Sequence, residues 1–296
     1  MKLRKFDTNV QYLKYKVLRE VARCAWNGNL QTGIMDIPKI IVPGKESTMR
    51  CCVYKERAIV QERIKLAMGG DKSNPNVIEV IDIACDECPV SGYDITEACR
   101  GCIAHRCESA CKMNAISFDH HQKAIIDKSK CVNCGACVYQ CPFGAIIDKS
   151  YILDVINILK GSEENKKYKV YAVIAPSISG QFSYAKLGQI ITGIEKLGFY
   201  HVVEAALGAD IVAYAESKEL AECDGFLTSS CCPAFVSYVE KYFPKLKDHI
   251  SHNLSPMASI AKYMKEKDPD CKIVFVGPCT AKKAEFQKET VAPYID

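Results

Sequence analysis

Eight cysteines between residues 99 and 141 restrict this chain more than any other feature, because they fall at two fixed spacings. The second set reads Cys131-x2-Cys134-x2-Cys137-x3-Cys141-Pro142. In such a run three thiolates hold one [4Fe–4S] cubane and the fourth crosses to its neighbour. The first set, Cys99-x2-Cys102-x4-Cys107-x3-Cys111, keeps that plan with two extra residues between its second and third cysteines. Structural thiols have no reason to repeat a metal-ligand spacing, so all eight read as ligands of two [4Fe–4S] clusters.

The two sets form an internal repeat. Cys111 is followed by Lys112-Met113-Asn114-Ala115-Ile116, and Cys141 by Pro142-Phe143-Gly144-Ala145-Ile146, with the Ala-Ile pair at the same offset. The repeat predicts the pseudo-twofold of an α+β, two-cluster ferredoxin-type domain over 85–150. Each half is expected to place three cysteines in a loop and the fourth at the start of a short helix.

A length of 296 residues allows two or three domains, and the chain carries 18 cysteines. A secreted disulfide protein is the rival for so many thiols. The stretch Met1-Lys2-Leu3-Arg4-Lys5-Phe6-Asp7 has no apolar run of the kind a signal peptide needs. The expectation is therefore reduced thiols, metal ligation and an anaerobic cytoplasm. No run of about 18 apolar residues suggests a membrane span. A net charge of +4, with scattered Lys and Arg, gives no footprint for nucleic acid.

Residues 1–84 read as a mostly helical region. Val10, Leu13, Val17 and Val21 recur at helical spacing, a turn-rich stretch follows from Gly28 to Gly44, and a second helix is expected from Tyr54 to Met68. Val77 to Ile83 alternates like a strand. After the polar stretch 161–167 the pattern becomes alternating strand and helix. Strands are expected at Val170–Ala175, His201–Ala205, Gly225–Ser229 and Lys272–Gly277. Helices are expected at Phe182–Leu197, Ala209–Ala221, from Pro233, Pro256–Lys267 and Thr280–Lys288. This predicts an α/β parallel-sheet domain over 165–296.

Three tripeptides sit where those strands end: Ala175-Pro176-Ser177, Cys231-Cys232-Pro233 and Pro278-Cys279-Thr280. Open parallel sheets bind ligands outside the carboxyl ends of their strands, so cysteines are expected on a ligand-binding edge. Two such cysteine turns, downstream of a cluster-binding module, point to a second metal site.

Here the chain resembles the [FeFe]-hydrogenases, a family whose fold is a cluster-binding module followed by an α/β catalytic domain. Ser230-Cys231-Cys232-Pro233 is similar to the first signature of their catalytic domain. Gly277-Pro278-Cys279-Thr280-Ala281-Lys282-Lys283-Ala284-Glu285 is similar to the second. The resemblance covers roughly 85–296, and its variants resemble a clostridial-type subgroup. It implies an active-site H-cluster, a cubane joined through a cysteine sulfur to a di-iron unit with carbon monoxide, cyanide and a dithiolate bridge. It implies reversible reduction of protons to dihydrogen, with a ferredoxin-type electron carrier and hydrogenase maturation proteins as partners.

By the same resemblance Cys232 and Cys279 are cubane ligands, and Cys231 is a proton-handling thiol rather than a ligand. Lys282 hydrogen-bonds a cyanide, as an ammonium facing an anion should. Ala175, Pro176 and Ser177 line the di-iron pocket. Glu216 and Glu219, three apart on one helix face, would by themselves read as a solvated surface. The resemblance instead places them with Ser251 in a relay from solvent through Glu219, Ser251 and Glu216 to Cys231. Three residues depart from the family pattern: Ser229 stands for a threonine, Phe235 for a tryptophan and Gly277 for a frequent methionine. The family's third signature, which supplies two more cysteines, does not occur in this sequence. The expectation is an N-terminal fragment or one subunit of a hydrogenase.

Cys51, Cys52, Cys85 and Cys88 remain. They admit an additional iron–sulfur cluster, a zinc site or structural thiols. Cys24, Cys223 and Cys271 read as core cysteines. The rival to the enzyme is a non-catalytic iron–sulfur protein in electron transfer, sensing or cluster assembly. Cys231, Lys282, Glu216, Glu219 and Ser251 favour the enzyme, because a protein carrying only cubanes has no use for them.

Overall fold

The computed structural model describes residues 6–49, 52–71, 77–80, 105–119, 122, 124–141 and 146–296. Cys51, Cys85, Cys88, Cys99 and Cys102 lie outside them. The chain divides into two compact units. The first is Met1–Cys131 with Gly135–Ile156, and the second is Val132–Cys134 with Asn157–Asp296.

The first unit opens with α1 (Asn9–Trp26), started by Thr8, whose hydroxyl accepts the Gln11 N–H. The four-residue spacing of Leu13, Val17 and Val21 buries one stripe of α1. That stripe packs on α3 (Ile37–Ile41) and α4 (Val53–Ala67), through Ile37, Val60 and Ile64, all fully buried. The stretch expected to be turns thus holds α3 and the short α2 (Leu30–Gly33). A run of four to five residues carries too little periodicity to be read from sequence.

The cluster-binding part follows. β1 (Ile78–Val80) pairs antiparallel with β4 (Ile146–Asp148), and β2 (Ile116–Phe118) with β3 (Ala124–Ile126). Residues 81–83 of the expected strand lie outside the described residues. Two short helices, α5 (Arg106–Ser109) and α6 (Ala136–Gln140), complete this layer. Its small core joins Ile78, Cys107, Ile116, Ala124 and Ile146. The Ala-Ile pairs of the sequence repeat lead into equivalent strands, since Ile116 opens β2 and Ile146 opens β4. α7 (Ile152–Gly161) runs through the division.

The second unit is built on a parallel sheet of order β6-β5-β7: β5 (Val170–Ile174), β6 (His201–Glu204) and β7 (Lys272–Val276). α8 (Ile178–Gln181) and α9 (Leu187–Glu195) connect β5 to β6. The helix expected over 182–197 therefore begins later, at Leu187, and α8 precedes it. Lys186 is extended, and the Gln189 side chain accepts its N–H, which starts α9 there. α10 (Ala205–Glu222), α11 (Pro233–Tyr242), a 3₁₀ turn (Pro244–His249) and α12 (Pro256–Lys267) lead from β6 to β7, and α13 (Thr280–Glu285) follows β7. The strand expected over Gly225–Ser229 is reduced to one parallel bridge, Thr228 to Ile250. Phe226 instead stacks on the His249 ring, centroids 4.3 Å apart.

Val173, Ala205, Ala258, Ile260, Ala261 and Ile273 bind sheet to helices in one core. α10 and α12 approach closely because Gly208 has no side chain. A Cβ there would stand 2.1 Å from the Pro256 carbonyl oxygen and 3.0 Å from Ile260 Cβ. Gly208→Ala is expected to destabilise the protein by about 2 kcal/mol or more, through forced separation of the two helices. A urea titration followed by far-UV circular dichroism checks this, and an unchanged midpoint would contradict it. The same helix carries Glu216 and Glu219.

Candidate active site

β5 gives way to Ala175-Pro176-Ser177, and β7 to Gly277-Pro278-Cys279. The Ala175 N–H donates to the Val276 carbonyl at 2.9 Å, so the two turns leave the sheet side by side. Pro176, Ser177, Gly277, Pro278 and Cys279 are all exposed on this edge. The methionine position of the resemblance is filled differently here. A Cβ on Gly277 would stand 2.6 Å from the Phe275 ring and 3.3 Å from Ala175 Cβ, so Phe275 takes the space above the turn.

Cys279 is the N-cap of α13, and Cys232 that of α11, where Pro233 occupies the first turn. Both residues are extended, and neither sulfur is spent on a capping hydrogen bond. Both thiols are exposed and unpaired, at helix ends whose dipole favours negative charge. Soft sulfur donors in that setting fit an iron–sulfur group.

Lys282 ties the two cysteine turns together. Its ammonium donates to the Cys231 carbonyl at 3.2 Å and to Glu285 at 2.7 Å. An ammonium has three N–H donors, so a third direction can address an anion.

Both glutamates of the expected relay lie on α10. Glu216 accepts from the Ser229 hydroxyl at 2.8 Å and from the Ser230 N–H at 3.3 Å. The Ser229 oxygen in turn accepts the Cys231 N–H at 3.3 Å. Glu219 accepts from the Ser251 hydroxyl and the Asn253 amide, both at 2.7 Å, and from the His252 N–H at 2.9 Å. The His252 ring nitrogen Nδ1 lies 2.6 Å from the same carboxylate. Among the described residues no hydrogen bond joins Ser251 to Glu216. The inner and outer groups meet where the Ser230 hydroxyl donates to the Asn253 carbonyl. Ser229, His252 and Asn253 were not legible as site residues, because their partners lie 13 to 34 positions away in sequence.

Burial alone would raise the pKa of Glu219, but the His252 N–H, the His252 ring and the Ser251 hydroxyl outweigh it and hold the carboxyl below its ordinary value. A carboxyl so lowered contributes stability above its unfolded pKa and loses it as pH falls through the folded one. Glu219→Gln is therefore expected to be less stable than the native chain at pH 7. The gap should close below about pH 4, where carboxylates protonate. Urea midpoints between pH 7 and 3 test the sign, and a gap that widens in acid would refute it.

Of the cysteines in the two sets, Cys107 is buried in α5 with Cys111 just beyond it. Cys131 and Cys134 lie in a loop, Cys137 in α6, and Cys141 at its end. Cys107 and Cys137, the third cysteines of the two sets, are helical rather than in a loop, and no helix begins at Cys111, which corrects the expectation from the repeat; residues 142–145, after Cys141, lie outside the described residues. Asn133 (φ 56°) and Gly135 (φ 79°) are left-handed on either side of Cys134, which lets the loop curl. The Ala115 N–H donates to Cys111 Sγ at 3.4 Å, a bond suited to a cluster thiolate. A cavity of about 350 Å³ lined by Cys141 also bears Lys14, Arg63 and Arg106, positive charge that offsets an anionic cluster. Among the described residues no three His, Cys, Asp or Glu side chains converge on one ion. Cubane thiolates each bind a different iron, so they need not converge.

Of the remaining thiols, Cys52 accepts the Lys55 N–H as N-cap of α4. Cys271 is fully buried, and burial pushes its thiol pKa up. Cys24 packs at the rim of the first core. Cys223 is not a core residue. Its thiol donates to the carbonyls of Asp224 and Phe226 past the end of α10.

The chain is similar to known proteins in two regions. Residues 168–296 match the family described as iron only hydrogenase large subunit, C-terminal domain, and residues 98–145 match a 4Fe-4S dicluster domain. The chain is 31% identical over 235 residues to iron hydrogenase 1 of Clostridium pasteurianum, covering 57% of this chain and 40% of that protein. It is 30% identical over 215 residues to the periplasmic [Fe] hydrogenase large subunit of Nitratidesulfovibrio vulgaris, covering 54% and 50%. It is also 36% identical over 75 residues to the cytosolic Fe-S cluster assembly factor NAR1 of Kluyveromyces lactis, covering 25% and 16%. The chain spans half the length or less of these curated relatives. Residues 98–145 are thus a 4Fe-4S dicluster domain, and residues 168–296 belong to the iron only hydrogenase large subunit, C-terminal domain family.

Proposed function

We propose that this chain supplies the electron-relay module and the first part of the catalytic site of an [FeFe]-hydrogenase, interconverting two protons and two electrons with dihydrogen. The observation that carries this reading is the joining of both cysteine turns and a proton-handling chain at one sheet edge. Lys282 bonds the Cys231 carbonyl, and Ser229 links Glu216 to the Cys231 backbone N–H, which sets the thiol beside Glu216. We assign 1–84 to a helical N-terminal region, 85–150 to the two-cubane domain and 165–296 to the front of the catalytic domain.

In this reading Cys99, Cys102, Cys107, Cys111, Cys131, Cys134, Cys137 and Cys141 hold two [4Fe–4S] clusters, and Cys232 and Cys279 hold part of the H-cluster. That cluster supplies the redox chemistry and the hydrogen-binding iron. The chain's own residues do the rest. Cys231 exchanges a proton at its sulfur, Glu216 and Ser229 return it, and Lys282 presents a cation to an anionic ligand. Passage between Ser251 and Glu216 requires the serine hydroxyl to reorient. Ala175, Pro176 and Ser177 wall the pocket. A ferredoxin-type carrier delivers electrons, and maturation proteins build the di-iron unit. A cytoplasmic setting suits a protein that keeps its cysteines reduced for metal ligation. Among the described residues no helix is long and apolar enough to cross a membrane.

The second reading is a non-catalytic iron–sulfur protein of the same family, favoured by the similarity to NAR1. One preparation separates the two. The product of the intact gene, expressed anaerobically with maturation proteins, is expected to evolve hydrogen from reduced ferredoxin. It should also show infrared bands of iron-bound carbon monoxide and cyanide. Cubane signals without those bands would leave the non-catalytic reading.

A further inference from the structure

Glu219 is held from three consecutive residues, and one of its partners has no part in the path from Glu219 to Cys231. Ser251 and Asn253 serve one carboxylate oxygen, while the His252 N–H and ring both face the other. The backbone N–H and the Asn253 amide already fix the carboxylate, so the ring is not needed for anchoring. The side chain of His252 is 80% exposed and that of Glu219 21%, while Ser251 is buried. A graded polar path thus runs from bulk water through an imidazole to a carboxylate and on to a buried hydroxyl. Imidazole is the side chain whose ordinary titration lies nearest neutrality, so it can both take and give a proton there.

We propose that His252 is the solvent gateway of the proton path, passing protons between bulk water and Glu219. The proposal rests on the hydrogenase reading above. In hydrogen formation the imidazolium yields its Nδ1 proton to Glu219 Oε1, which leaves a neutral imidazole and a neutral carboxyl. The Ser251 hydroxyl turns to release its own proton onward as its oxygen accepts the one from the carboxyl, and the exposed ring takes another from a hydronium or buffer acid. No electron moves in this step, and it occurs twice for each dihydrogen. Hydrogen uptake runs it in reverse. His252 acts through Glu219 and touches no reacting atom, so it is a positioning and transfer residue.

The test has two arms. The first needs no active-site cluster. In nitrogen-15 spectra of the histidine rings, the His252 Nδ1 resonance should move in Glu219→Gln and stay fixed in Glu216→Gln. A resonance indifferent to Glu219→Gln overturns the proposal. The second arm measures turnover of the matured protein at saturating electron donor. His252→Gln keeps the backbone bond and an amide donor but cannot carry a proton. It is expected to lose roughly tenfold, less than the 10²–10⁴ of a group at the reacting atoms. Added imidazole should restore most of that loss, which a merely structural role would not allow. Unchanged turnover, or a loss that imidazole leaves untouched, overturns the proposal. If the native protein shows no hydrogen turnover, the proposal falls with the hydrogenase reading, and a positive first arm then marks the reading as the part that failed.

Discussion

Cys231→Ala is expected to cut hydrogen turnover by about 10²–10⁴-fold while the infrared bands of the di-iron unit and the iron content stay as in the native protein. The structure separates the thiol from everything else the residue does. The Cys231 N–H is held by Ser229, and its carbonyl by Lys282. Both contacts belong to the backbone and survive the substitution. The sulfur itself is exposed and free, so removing it opens no cavity. The loss is therefore confined to proton exchange at one atom. Cys231→Ser is a sharper control, since it preserves size and hydrogen bonding but offers a far weaker acid than a thiol. Turnover retained in the alanine variant would refute the role. Loss of the infrared bands would show that Cys231 holds the cluster instead.

The parts of this chain that could be read in advance are those where chemistry fixes spacing. Cluster ligation demands cysteines at set intervals, and the repeat of Ala115-Ile116 in Ala145-Ile146 followed from it. α1 was legible because Val10, Leu13, Val17 and Val21 recur at helical spacing, and Leu13, Val17 and Val21 are the residues it buries. The errors have physical causes of a different kind. Phe226 and Leu227 look like strand residues, yet Phe226 is stacked on His249, which only the tertiary fold supplies. The start of α9 is set by a bond between Gln189 and Lys186 rather than by the apolar pattern, which extends beyond both. Nothing in the sequence marks His252, because its partner Glu219 lies 33 residues away. Gly277 could be noticed as a departure but not explained. The explanation is Phe275, whose ring occupies the room a methionine would need.

Lys282→Ala is expected to do two kinds of damage that a double substitution can separate. The Lys282 and Glu285 side chains are only 13% and 9% exposed, and they pair at 2.7 Å. Removing the lysine leaves a buried carboxylate without its cation, which costs about 3 kcal/mol or more. The same ammonium bonds the Cys231 carbonyl, so α13 also loses its tie to the turn that precedes α11. Lys282→Ala should therefore melt earlier and be inactive, and that result alone would say nothing about cyanide or charge at the site. Lys282→Met with Glu285→Leu removes both buried charges and fills their volume. Such replacements of buried pairs are often neutral or stabilising. The double variant is expected to recover most of the lost stability in a urea melt, yet to remain without hydrogen turnover, because the pocket still lacks its cation. Recovery of turnover along with stability would make Lys282 a structural residue. A double variant no more stable than Lys282→Ala would instead place the cost in the lost bond to Cys231 rather than in the stranded carboxylate.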